Sequence, residues 1–128
     1  MKKERILISG TADGKLRFWN LKDLQSSKYF LGMMEVRHVK GDALTNVATT
    51  LDCTRMVTAD VAGRIKLWDI SRVNWHIDGQ NKKDISSNMR DIWFIQAHKG
   101  CINSIAIVET YAETSDIFVL SASNDQNI

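Results

Sequence analysis

Three hydroxyl side chains occupy matched places in short apolar runs: Ser9, Thr58 and Ser121. Two acids, Asp13 and Asp125, follow the first and third of them, and His98 lies upstream of the last. A hydroxyl, an imidazole and a carboxylate are the parts of a nucleophilic relay. They are equally the parts of a polar clamp inside a packed fold, where each buried donor must find an acceptor. Nothing beyond the recurrence itself gives these residues a hydrolase setting, so a structural role is the expectation. His98 and Cys101 are two candidate metal ligands without a second pair, too few for a tetrahedral site. The chain has no Gly-rich phosphate loop, no helical metal motif and no EF-hand loop. The sequence therefore predicts no catalytic residue, no cofactor and no metal.

The elements that carry these residues repeat. "LISGTADGKL" (7–16), "MVTADVAGRI" (56–65) and "VLSASNDQNI" (119–128) align without gaps. The apolar pairs Leu7–Ile8, Met56–Val57 and Val119–Leu120 precede the hydroxyls, and the small residues Gly10, Ala59 and Ala122 follow them. The first two windows continue as "RFW" and "KLW", ending at Trp19 and Trp68. Each window reads as a β-hairpin: apolar residues up to a turn of Asp, Asn, Ala or Gly, then alternation on the return. With no proline in the chain, those residues must mark the turns. Further strand-like stretches are "KYFLGMMEV" (28–36), "ALTNVATTL" (43–51), "DIWFIQA" (91–97) and "CINSIAIVE" (101–109). The unit is about four short antiparallel strands in sequence order.

A strand, a small-residue turn and a strand closing on "LWD" (67–69), with "AHKG" (97–100) upstream of the last copy, resembles the WD-repeat β-propeller family. The resemblance implies an all-β fold: a partial WD-repeat β-propeller of about two and a quarter blades of four-stranded antiparallel sheet. The hairpin and outer strand of blade one would span 5–36, blade two 43–97 and the start of blade three 101–128. It also implies a structural network in each blade. The first copy supplies Ser9, Asp13 and Trp19; the second Thr58 and Trp68; the third His98, Ser121 and Asp125. The copies depart from the pattern: Ala62 stands where the second needs an acid, and Lys40 where it needs a histidine, unless His38 reaches in. Asp60, next to the second turn, has two readings, standing in for the missing acid or lying in solvent as a turn residue, and the second is the expectation. The run "MVTADVAGRIKLWDI", a long polar loop and "WFIQAHKGCINSI" are similar to the ciliary and flagellar WD-repeat proteins that often carry EF-hands.

Repeats of this kind run about 40–45 residues, so the longer spacing here puts extra residues in connections. Residues 71–90 and 110–116 hold the excess, and a meander sends both connections out on one face. Loops on a rigid scaffold are where binding resides, which makes Trp75, His76, Lys82, Lys83, Tyr111 and Glu113 the candidate partner contacts. Trp75 has two readings, folding back on the blade edge or anchoring a partner. A net charge of +2 gives no reason to expect nucleic acid or an anionic membrane. Two cysteines and no glycosylation sequon fit a reducing, cytoplasmic compartment. The expected function is a non-enzymatic protein–protein interaction scaffold, a fragment of a larger propeller. The ciliary resemblance implies other protein subunits as partners, tubulin or axonemal proteins among them. The alternative is an adaptor propeller whose channel reads a peptide or a modified side chain; there the first strands offer Thr45, Asn46, Asn103 and Ser104.

Overall fold

The structure is a computed structural model that describes residues 6–21, 30–35, 42–73, 75, 87–110 and 116–128. Its nine described strands are β1 (Ile6–Gly10), β2 (Lys15–Asn20), β3 (Phe30–Glu35), β4 (Leu44–Thr49), β5 (Arg55–Asp60), β6 (Arg64–Asp69), β7 (Arg90–Gln96), β8 (Ile102–Glu109) and β9 (Ile117–Ser123). They form three sheets in chain order, β1-β2-β3, β4-β5-β6-β7 and β8-β9. Every neighbouring pair is antiparallel. The fold is all-β, and among the described residues the sheets do not close into a barrel. No helix there is long and apolar enough to cross a membrane.

The repeat is a repeat of register as well as of residues. Leu7 faces Trp19 across the β1/β2 pair, and Met56 faces Trp68 across β5/β6. The next pairing slips between Phe18 and Trp19 in the first sheet and between Leu67 and Trp68 in the second. The inner pairing slips between Leu44 and Asn46 in the second sheet and between Ile102 and Ser104 in the third. A bulge bends its strand and adds local twist, so the first and second sheets are bent at one equivalent point and the second and third at another.

The sheets stack face to face, with β4 lying between β1 and β8. Because strand side chains alternate, β5 feeds two cores at once. Met56 joins Leu16, Phe18, Leu44 and Trp68 between the first and second sheets. Val57 and Ala59 join Ile65 and Ile102 between the second and third. β5 is accordingly buried on both faces, whereas every residue of β7, at the outer edge, is exposed. Gly10 is glycine for room: a Cβ there would lie 3.0 Å from the Leu44 Cβ, so the smallest residue lets β1 approach β4.

Candidate functional site

The residues singled out by the repeat fall into one cluster per sheet. In the first, Trp19 Nε1 donates to Ser9 Oγ at 3.2 Å. Asp13 stands apart from that pair on the turn, where the Thr11 hydroxyl donates to its carboxylate and Lys15 Nζ lies 3.6 Å away. The Thr11 bond leads the contacts that hold its carboxyl below the usual value. In the second sheet, Trp68 Nε1 donates to Thr58 Oγ1 at 3.0 Å, with Thr58 fully buried. Lys66 Nζ sits 4.4 Å from the Trp68 ring centroid, a cation–π distance.

The third cluster is the most complete. His98 is 6% exposed. Its Nδ1 lies 3.1 Å from both carboxylate oxygens of Asp125, and its Nε2 lies 2.8 Å from Ser121 Oγ. A carboxylate only accepts, so Nδ1 carries a proton, and in the neutral imidazole Nε2 accepts from the Ser121 hydroxyl. Burial alone would raise the Asp125 pKa. The Lys99 and Asn127 N–H groups and His98 outweigh that effect and bring it down to about 2. In composition this is a hydroxyl–imidazole–carboxylate relay. In position it is a clamp, since His98 and Lys99 precede β8 while Ser121 and Asp125 belong to β9 and its turn. The clamp ties the lead-in of the sheet to its hairpin turn.

That lead-in also grips the sheet before it. Ala97 N and His98 N donate to Gly63 O at 3.1 and 3.0 Å, and Gln96 Nε2 donates to Ala62 O at 2.6 Å. Gly63 has φ +84°, and a Cβ on it would lie 2.2 Å from His98 O. Only glycine satisfies both demands.

Asp60 corrects the expectation of a solvated turn residue. Its side chain is fully buried: Oδ1 accepts from the Ala62 and Arg64 N–H groups, and Oδ2 accepts from Arg64 Nε at 2.7 Å. Arg64 Nη2 also reaches Asp42. A buried carboxylate needs such a partner, and the turn that has Ala62 in place of an acid is held by Asp60–Arg64–Asp42 instead. Sequence reasoning missed Arg64 and Asp42. The available signal was an acid ending an apolar strand with an arginine four residues on, across a tight turn.

Of the expected partner contacts, His76, Lys82, Lys83, Tyr111 and Glu113 lie outside the described residues, as do Lys40 and His38. Trp75 is described and packs on the first core, its ring centroid 5.5 Å from that of Phe18. The aromatic side chain folds back between the first two sheets. The strand ends from which the two long connections start, Ile70 and Glu109, lie on one rim. Ile70 N donates to Thr54 O, joining the end of β6 to the β4–β5 turn, and Leu51 N in that turn donates to the Glu109 carboxylate at the end of β8.

The innermost strands carry a second feature. At the β4 bulge, Thr45 Oγ1 and Asn46 Oδ1 are buried and make no hydrogen bond among the described residues. They border a cavity of about 170 Å³ shared with Ile8, Gly10 and Leu44. Asn103, at the equivalent bulge of β8, donates to Asn124 Oδ1 at 2.5 Å.

No family model matches this chain, and no curated protein matches it.

Proposed function

We propose that this chain is a segment of a WD-repeat β-propeller that acts as a non-enzymatic scaffold for other proteins. In this reading it is a structural component of a ciliary or axonemal microtubule assembly. The observation that carries the scaffold reading is the recurrence of hairpin register and bulge position from sheet to sheet. Such stacking makes a rigid body whose rims present loops. The Ser121–His98–Asp125 cluster serves that body by tying a lead-in to a turn, with its imidazole sealed from solvent. The ciliary assignment is supported by the sequence resemblance alone. A second reading, a channel that reads a peptide or a modified side chain, draws support from the unpartnered Thr45 and Asn46 atoms beside the inner cavity.

The test is co-purification of the tagged full-length protein from ciliated cells. The expected outcome is retrieval of axonemal polypeptides in fixed stoichiometry; retrieval of none sinks the ciliary role. Ester hydrolysis by the purified protein that disappears in Ser121→Ala at unchanged melting temperature would overturn the non-enzymatic reading.

A further inference from the structure

The rim where β6 ends and β7 begins holds a pocket of about 260 Å³ lined by Asp69, Arg72, Ser87, Asn88, Met89 and Arg90. Among the described lining residues the charges do not cancel. Asp69 is the one carboxylate among the described lining residues, and it is already engaged. Its Oδ1 accepts from Ser71 N at 3.0 Å, Ser71 Oγ at 2.6 Å and Arg55 Nη1 at 3.2 Å. The Ser71 bonds are the largest influence holding its carboxyl below the ordinary value. Arg55 is the nearer of the two cations paired with that carboxylate. Arg90 adds a single long contact, Nη2 to Asp69 Oδ2 at 3.4 Å, and its side chain is 76% exposed. Arg72 is exposed and makes no hydrogen bond or ion pair among the described residues. Met89, buried in the first core, fixes this rim to the body of the fold.

Two guanidiniums therefore border one concavity: among the described residues Arg72 has no acceptor, and Arg90 has only its long contact to Asp69, so most of their N–H donors are open. The planar arginine fork matches a carboxylate with two parallel hydrogen bonds. The ligand called for is an oxyanion, from a carboxylate side chain or from a phosphoryl group. The scaffold reading decides between them: its occupant is a segment of a partner protein, and the carboxylate is the oxyanion that an unmodified segment carries. We propose that this pocket takes an acidic side chain, Asp or Glu, from a peptide segment of a partner protein, held between Arg72 and Arg90. The proposal rests on the scaffold reading above and names the chemistry of the segment that the scaffold would hold.

The experiment is calorimetric titration of the full-length protein with a hexaglutamate peptide, in parallel with inorganic phosphate and a phosphoserine peptide of equal length. The expected result is saturable hexaglutamate binding that weakens as salt is raised. Arg72→Ala and Arg90→Ala should each weaken it about tenfold, Arg72→Lys should recover part of the loss, and Arg17→Ala should change nothing. Arg72→Ala removes no described contact of the fold, so unchanged circular dichroism is expected beside lost affinity. Tighter binding of phosphate or of the phosphoserine peptide overturns the carboxylate assignment. Absence of saturable hexaglutamate binding by the folded protein overturns the pocket itself, while the co-purification experiment judges the scaffold reading separately.

Discussion

Trp68 and Trp75 both contribute to the core between the first two sheets, but in different ways. Trp68 sits at 7% exposure with its indole N–H donated to Thr58. Trp68→Ala removes a buried aromatic and its bond to that hydroxyl, so a loss of about 3–5 kcal/mol is expected from denaturant titration; less than 1 would contradict this packing. Trp75 is partly buried against Phe18, an aromatic pair worth about 0.5–1.5 kcal/mol beyond its area. Trp75→Ala should cost at least that much, where a purely solvent-facing tryptophan would cost nothing. Asp125 carries a pH signature. Its folded pKa of about 2 lies below the unfolded value of 3.8, so the stabilisation it gives is complete above pH 4 and is lost as pH falls toward 2. Asp13, Asp52 and Asp69 are lowered too and add to the same acid limb. Asp125→Asn should flatten part of that limb in melts between pH 4 and pH 2, and an unchanged slope would remove Asp125 from the account.

At the scale of elements, the join between the second and third sheets depends on one backbone position. Gly63 needs φ +84° and a bare Cα against His98 O. Gly63→Ala meets left-handed strain of roughly 1–2 kcal/mol and then a clash with backbone that has no rotamer to move. A stability loss above about 2 kcal/mol is expected, with hydrogen exchange at Ala97 and His98 rising first; a loss under 1 would mean that the turn does not press on the lead-in. The hairpins themselves were legible in the sequence, because alternation and turn chemistry are local: "RIKLW" and its turn fix β6 and the register of Trp68 without outside help. The groupings Ser9–Trp19, Thr58–Trp68 and His98–Ser121–Asp125 were implied by the family resemblance once it was carried onto the matched positions. What stayed hidden depends on contacts between sheets or across turns. Asp60 reads as a turn acid because nothing in one dimension shows that the strand ending there is buried on both faces. Trp75 sits in a polar stretch, and its seat on Phe18 exists only once the first two sheets are stacked. The open guanidinium of Arg72 is a fact about what its neighbours already bind.

The described residues of the two flanking sheets keep large apolar side chains in contact with solvent, and the register shows what kind of surface they are. Leu7 occupies the place in the first sheet that Met56 occupies in the second; Met56 is fully buried, yet Leu7 is 49% exposed. Leu120 occupies in the third sheet the place of Val57, which is also fully buried, yet Leu120 is 51% exposed and Phe118 beside it 54%. The same positions that form a core on the middle sheet thus lie open on the two flanking ones. Exposed apolar side chains on a sheet face favour binding or aggregation, and the rim of β9, unpaired among the described strands, adds open backbone donors and acceptors. The 128 residues expressed by themselves should therefore bind ANS strongly and migrate in gel filtration as more than a monomer. Placing Lys at Leu7 and Leu120 together should reduce both effects, with the second sheet still protected in hydrogen exchange because its own cores are untouched. A wild-type chain that is monomeric, free of ANS and sharply cooperative in melting would mean that these side chains cover one another in solution. The stacking order β1–β4–β8 described here would then have to be replaced by a closed arrangement.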